Sequence, residues 1–503
     1  MKLNEMFKDI KYTLVKGDME IDVSDIVYDS RKAKDGVLFM AIVGSELDGH
    51  DYISDAIKNG AKVILVSKDV EIKEDVTVIK VADTRKILSK LAMRLFKYPQ
   101  SKLKTIALTG TKGKTTTSFM IKRILEEAGY KCGLIGTMGV YIGDKVYPAK
   151  NTTPEAYETI KYMDEMVKKK MDFMVMEVSS QALKYDRVND IIFDYGIFTN
   201  LYQDHIGPNE HDSMEDYIKS KAKLFNQCNY GIFNIDDEHF YDMVSGGDAT
   251  IETYGYDERA DLKVKDIKLL RDKGFIGIEL TTDGVVKDTF KISSPGKFTS
   301  YNAMAAILTC HLIGIDDKYI KKALSDFHVR GRVEPVHVSD NFTLLIDYAH
   351  NGASTESILS TIRDYDPGRI VTIFGCGGNR SRDRRYEMGE MAGKYSDYCI
   401  ITEDNNRYEE FDDIAKDILV GINKTNCEYT IIPDRKAAIK YAIENGKKGD
   451  IIMLIGKGHE DYKEIKGKRY PFDERVIIKE ILEEIKNNLS NWQVLAIFNA
   501  FVY

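Results

Sequence analysis

The stretch TGTKGKTTT (109–117) collects the residue types that grip a phosphate chain: Gly110 and Gly113, then Lys114 and three threonine hydroxyls. Glycines let backbone N–H groups crowd an anion at a helix N-terminus, where the helix dipole also favours negative charge. In such a loop Lys114 reaches the outer phosphates and Thr115 offers its hydroxyl to Mg2+. The common loop has four residues between its first glycine and the GK pair, whereas two stand between Gly110 and Gly113. A chance glycine-rich turn is the plain alternative. Against it stand the apolar run KTIAL just upstream and SFMIKRILEEAG just downstream, where Phe119, Ile121, Ile124 and Leu125 fall at helical spacing before Gly129.

A phosphate loop needs a sheet to carry it, and the rest of the chain reads accordingly. Residues before about Pro99 alternate short strands and helices, with AKVILV the clearest strand. From Leu103 onward, YKCGLIG, DFMVMEVSS, FDYGIFTNL and NYGIFNID read as further strands separated by helical stretches. A third series starts near Val336, with TLLIDYAHN, IVTIFGCGGNR, DYCIITEDNN and DIIMLIGKGHE as strands whose last residues turn polar. Strand and helix in alternation make a parallel sheet covered on both faces. Ligands of such sheets collect at the carboxyl ends of the strands, so those polar ends are where chemistry is expected.

At 503 residues the chain has room for about three domains. With 43% hydrophobic and 30% charged residues its composition is that of an ordinary soluble protein, and a formal net charge of -8 argues against nucleic acid as the main partner. Six scattered cysteines without a CxxC pair fit a reducing compartment. The start lacks the apolar core of a signal peptide and no stretch has the length of a membrane span, so the expectation is a cytoplasmic protein. The apolar end NWQVLAIFNAFVY, which holds the single tryptophan, suits a docking helix, a partner contact, simple packing or a sequence foreign to the fold.

Three further residues attract attention singly. Glu177 ends the apolar DFMVM and could hold a cation beside the loop, although a solvated strand-end glutamate is the bland reading. His205 stands in a DH pair, and Lys221 in a helix beginning near Met214. A lone histidine is more often structural and a lone lysine more often solvated, so residue type alone promotes neither.

The ordered set TGTKGKTTT, EVSS, TNLYQDH with its downstream lysine, YNAMAA, GRVEPV, DYAHN, GCGGNR and GKGHEDY resembles the Mur ligases, the ATP-dependent enzymes that build the stem peptide of peptidoglycan. The likeness is closest to the members that add the third residue, and it spans all but the last dozen or so positions. It implies an α/β fold in three domains: a UDP-sugar-binding domain over 1–99, a central P-loop ATPase domain over 100–335 and a Rossmann-like amino-acid-binding domain over 336–488, with 489–503 an apolar tail.

The resemblance also implies site roles. Gly110, Thr111, Lys112, Gly113, Lys114, Thr115 and Thr116 would hold ATP, with Asn302 on the adenine side and Arg332 and Asp347 at phosphate and ribose. Thr115, Glu177, His205 and a carbamylated Lys221 would hold Mg2+, with Lys114, Glu177, His205 and Lys221 as the catalytic set. Carbamylation makes sense because CO2 turns an amine into a carboxylate-like ligand for a hard cation. Lys219 and Lys223 stand close by; Lys221 is chosen because it lies four residues after Tyr217 and four before Phe225. The segment reads DHIGPNEH where the family has DHxDxH, as if two residues were inserted, so His211 stays outside the metal set.

For the sugar nucleotide, Ser30 would meet the uridine diphosphate, although DSR also suits a turn between strands. Asn151, Thr152, Thr153, Ser179 and Arg187 would bind the muramoyl dipeptide, an arginine suiting a carboxylated substrate. Around the incoming amino acid the resemblance sets Arg385, Asn405, Arg407, Gly456 and Glu460, with Asn406 where the family has proline. The distal end of meso-2,6-diaminopimelate carries a carboxylate and an ammonium, which a guanidinium and a carboxylate complement; lysine lacks that carboxylate. The implied activity is therefore an amide ligase that joins diaminopimelate to UDP-N-acetylmuramoyl-L-Ala-D-Glu through an acyl phosphate, acting as a monomer. The alternatives are the same ligase using L-lysine, a folylpolyglutamate synthase-like enzyme, and a non-catalytic relative that binds nucleotide sugar.

Overall fold

The computed structural model describes residues 1–44, 47–204, 206–207, 210–272 and 275–500, with side chains described through residue 487. They fall into two compact units, Met1–Lys263 with Asp283–Val286 and Tyr301–Lys322, and Val264–Thr282 with Lys287–Ser300 and Ala323–Tyr503. His205 of the expected metal set lies outside the described residues.

The first unit opens with five strands: β1 (Thr13–Lys16), β2 (Asp25–Val27), β3 (Val37–Met40), β4 (Val63–Val66) and β5 (Thr77–Lys80). They pair in the order β1-β5-β4-β3-β2, parallel except for the edge strand β1. The wholly buried runs VLFM and VILV are the two-face-covered strands expected of a parallel sheet.

The larger sheet of this unit is built from β6 (Lys104–Thr109), β7 (Cys132–Gly136), β8 (Gly139–Ile142), β9 (Lys145–Tyr147), β10 (Phe173–Glu177), β11 (Phe193–Phe198), β12 (Cys228–Asn234) and β13 (Thr250–Gly255). Their order is β13-β12-β11-β6-β10-β7-β8-β9, and only β8 runs against the rest, pairing antiparallel with both β7 and β9. The chain leaves β6 toward β7 on one side and later returns as β11 on the other. That reversal of strand order opens a crevice at the carboxyl end of β6, where the glycine loop begins.

β14 (Phe275–Gly284), which lies in the second unit up to Thr282, pairs antiparallel with β15 (Thr289–Ile292) of the same unit. A separate sheet follows, made of β16 (Glu334–Val336), β17 (Thr343–Asp347), β18 (Ile370–Phe374), β19 (Tyr398–Ile401), β20 (Glu428–Ile431) and β21 (Ile451–Ile455). Its order is β16-β17-β21-β18-β19-β20, parallel apart from β16. The short hairpin Tyr462–Ile465 with Lys468–Pro471 comes next, and the helix Glu474–Ala500 runs across the boundary expected at 488. Among the described residues no helix is long and apolar enough to cross a membrane.

Candidate active site

The loop after β6 is shaped by its glycines and by a neighbouring strand end. Gly110 has φ +148 and Gly113 φ +86, and a Cβ on either would come within 2.0 Å of Thr199 Oγ1 or 2.5 Å of Asn302 Oδ1. Only glycine accepts both the backbone geometry and the crowding. The residues just past β11 lace the loop: Asn200 Oδ1 accepts from the Lys112 N–H at 2.9 Å, and the Thr199 hydroxyl donates to the Lys112 carbonyl at 2.7 Å. Sequence reading missed Thr199 and Asn200, although their place at the end of a strand adjoining β6 was the available signal.

Lys114 opens the helix Lys114–Glu127, and its Nζ donates to the carbonyls of Gly110 at 2.7 Å and Thr111 at 3.1 Å. At the next position, the Thr115 hydroxyl donates to Glu177 Oε2 at 2.9 Å. Glu177 ends β10 fully buried and also accepts from the N–H and hydroxyl of Thr137, both at 3.1 Å. A buried carboxylate touching a loop hydroxyl supplies the hard oxygen donors that Mg2+ prefers. Among the described residues no three His, Cys, Asp or Glu side chains gather as a metal site.

Lys221 lies on the buried face of the helix Met214–Ala222, whose first turn Ser213 caps by accepting from the Asp216 N–H. Lys219 and Lys223 are exposed, whereas Lys221 is buried, 4.6 Å from the Tyr217 ring centroid, and donates to the Gly110 carbonyl at 2.9 Å. Burial, reinforced by the positive charge of Lys114, holds the Lys221 amine well below the ordinary lysine value. A neutral amine is the form that reacts with CO2. His211, kept out of the metal set by the sequence, is buried with Nδ1 2.9 Å from Asp216, and among the described residues its Nε2 has no hydrogen-bond partner.

Asn302 meets the loop directly, within 3.3 Å of the Thr117 hydroxyl. Thr153 is buried; its hydroxyl donates to the Glu177 carbonyl at 2.9 Å and accepts from the Ser179 N–H at 3.0 Å. Ser179 caps the helix Ser180–Lys184, and Arg187 donates to the Thr153 carbonyl at 3.3 Å while pairing with Glu155 at 2.9 Å. Thr152 joins this group through Thr137, 3.0 Å away, whereas Asn151 is exposed. Ser30 follows β2 in a short 3-10 turn and is buried, its carbonyl held by the Asn59 side chain at 2.9 Å.

The second unit has its own cavity, of about 140 Å³, where the carboxyl ends of β17, β18, β19 and β21 converge. Arg385, Asn405, Arg407, Gly456 and Glu460 all line it. Asn405 donates to Glu460 at 2.8 Å, and Arg407, with φ +51, donates through Nη1 to the Gly378 carbonyl at 2.7 Å. Asp347 is buried, its carboxylate accepting from the N–H groups of Val333 at 2.9 Å and Ala349 at 2.7 Å. The Arg332 guanidinium lies 5.3 Å from the Tyr348 ring. Burial raises the Asp347 pKa, with Arg332 opposing.

Arg385 is fully buried; its terminal nitrogens donate to Glu409, at 2.7 and 2.8 Å, to Asp417 at 2.9 Å and to the Gly377 carbonyl at 3.3 Å, while among the described residues its Nε has no hydrogen-bond partner. It holds the helix Arg382–Tyr395 and the pocket wall in place. Hydrogen bonding from Arg385 pulls the Glu409 carboxyl down to about 2. A depressed folded pKa contributes stability that is present above the unfolded value of about 4.3 and is lost as pH falls through the folded one. Urea midpoints measured between pH 5 and 2 should therefore fall more steeply for the native chain than for Glu409→Gln; equal slopes would exclude this contribution.

Three segments match models of one family: 22–95 the "Mur ligase family, catalytic domain", 108–310 the "Mur ligase middle domain" and 331–458 the "Mur ligase, glutamate ligase domain". The UDP-N-acetylmuramoyl-L-alanyl-D-glutamate--2,6-diaminopimelate ligase of Caldanaerobacter subterraneus subsp. tengcongensis is 42% identical over 485 residues, 96% of this chain and 99% of the relative. The protein of the same name from Clostridium perfringens is 40% identical over 490 residues, 96% and 100% of the two chains. A solved structure of a ligase of that name superposes with a TM-score of 0.73 at 26% identity, covering 97% of this chain and 99% of the other.

Proposed function

The chain belongs to the Mur ligase family, and on that premise we propose that it is the ATP-dependent ligase that joins meso-2,6-diaminopimelate to UDP-N-acetylmuramoyl-L-alanyl-D-glutamate, releasing ADP and phosphate. The architecture is three-domain α/β, and we propose domain boundaries near 99 and 335. The observation that carries the choice of amino acid is the meeting of the Arg407 guanidinium and the Glu460 carboxylate in one small cavity. A distal carboxylate finds the first and a distal ammonium the second, and the planar guanidinium makes paired hydrogen bonds to a carboxylate.

In the proposed reaction the γ-phosphoryl of ATP moves to the terminal carboxylate of the D-glutamyl residue, breaking the bond to ADP and giving an acyl phosphate. The amine of diaminopimelate attacks the acyl carbon, the C–N bond forms, phosphate leaves and the amine sheds a proton. Positioning and charge neutralisation do most of the work in phosphoryl transfer. Loop amides and Lys114 neutralise the phosphates. Thr115, Glu177 and a carbamylated Lys221 are the residues proposed to hold Mg2+, with His205; the ion supplies electrostatic stabilisation of the phosphates when bound. Thr153, Ser179 and Arg187 sit beside Glu177, where the carboxylate to be activated would lie. We further propose that the chain works as a cytoplasmic monomer.

Phosphate release with ATP, Mg2+ and UDP-N-acetylmuramoyl-L-Ala-D-Glu is expected with meso-diaminopimelate and to be at least about 100-fold weaker in kcat/KM with L-lysine, the cost of a missing charged contact. A preference for lysine would keep the ligase and discard the roles given to Arg407 and Glu460. No turnover with either would discard the ligase reading.

A further inference from the structure

We propose that Lys457 is a positioning residue of the amino-acid site, fixing the orientation of Asn405 and Glu460 so that one Glu460 oxygen is presented to the ammonium of the incoming diamino acid. The proposal rests on reading the cavity of the second unit as the amino-acid site. Lys457 is fully buried, and its Nζ lies 3.3 Å from each of three acceptors: Asp404 Oδ1, Asn405 Oδ1 and Glu460 Oε2. An ammonium has three donors, so this arrangement uses them all.

The consequences follow for each partner. Asn405 Oδ1 accepts from Lys457 and from the Glu464 N–H at 2.8 Å, which turns the amide so that its Nδ2 donates to Glu460 Oε2 at 2.8 Å. Glu460 Oε2 is thereby held by two donors, while among the described residues Oε1 accepts no hydrogen bond. Asp404, buried beside it, would repel Glu460 without the cation between them. Gly456 makes the approach possible: it has φ +110, and a Cβ there would come within 2.7 Å of Asp404 Oδ2. The lysine therefore sets both the charge and the aim of the pocket carboxylate without itself standing where substrate must go.

Steady-state kinetics of the full chain test this. Lys457→Met is expected to raise KM for meso-diaminopimelate about 30-fold, the worth of a charge-assisted hydrogen bond, with KM for ATP and for the UDP-dipeptide changed less than about two-fold. Because the lysine acts through Glu460, the double variant Lys457→Met/Glu460→Gln should be no more than about two-fold worse than Glu460→Gln alone. An unchanged diaminopimelate KM in Lys457→Met, or effects that multiply in the double variant, overturns the proposal. If Lys457→Met does not fold, Lys457→Met/Asp404→Asn removes the carboxylate left unpaired and takes its place in the same measurement: a raised diaminopimelate KM supports the proposal and an unchanged one overturns it. An unchanged diaminopimelate KM in Glu460→Gln, or no diaminopimelate-dependent turnover by the native chain, instead removes the site reading on which the proposal stands.

Discussion

Replacing Lys114 with methionine is expected to lower turnover by about a thousand-fold or more while leaving the protein folded. The side chain donates to the backbone carbonyls of Gly110 and Thr111 at the mouth of the loop. Gly110 O keeps a second donor in Lys221, so the structural loss is small. The chemical loss is large, because a preorganised cation aimed at charge that develops on a transferring phosphoryl group contributes on the order of 2.7–4 kcal/mol for a single donor, and more where water is excluded. Rapid-quench measurement of phosphate release would check the rate, and circular dichroism the fold. Turnover within about ten-fold of the native value, in a folded variant, would mean that the loop does not hold the reacting phosphate.

The largest expected effect on stability belongs to Arg435. Its side chain is 1% exposed and donates to Glu474, 0% exposed, at 2.8 Å. The same guanidinium reaches the Ile455 carbonyl at 3.0 Å and the Glu403 carbonyl at 3.3 Å, the last residue of β21 and the second residue past β19. It therefore clamps two of the strand ends that frame the cavity. Arg435→Met leaves a buried carboxylate without its counter-charge, at a cost of about 3–5 kcal/mol. For a unit of this size that is a fall in melting temperature of about 10 °C, readable by calorimetry. Arg435→Met/Glu474→Met should recover most of it, since two apolar side chains replace the pair at little cost. A shift below about 2 °C in the single variant would show that the pair is not what holds these ends.

The phosphate loop was legible because everything it needs is contiguous: strand, glycines, lysine and helix follow within about two dozen residues, and backbone preference acts locally. The polar ends of TLLIDYAHN, GCGGNR, TEDNN and GKGHE were legible for a related reason, since a parallel strand buried on both faces must end where its residues turn polar. Lys221 was separable from Lys219 and Lys223 only through its spacing from Tyr217 and Phe225, and the helix does turn that face inward.

Other features depended on residues distant in sequence. Arg385 lines the cavity, and the fold pairs its two terminal nitrogens with Glu409 and Asp417, 24 and 32 positions away. Lys457 drew no notice between a glycine and a glutamate that did, because the meaning of a buried ammonium lies in its acceptors, here brought from Asp404, 53 positions earlier. Thr199 and Asn200 bind the loop only because β11 pairs with β6. The sequence by itself determined the elements, the loop and the kinds of group at each strand end, since periodicity and backbone preference are properties of short segments. Which charges meet, which are buried and which remain to face a ligand was decided by the tertiary structure, because pairing and desolvation depend on distances that only the packed sheets define.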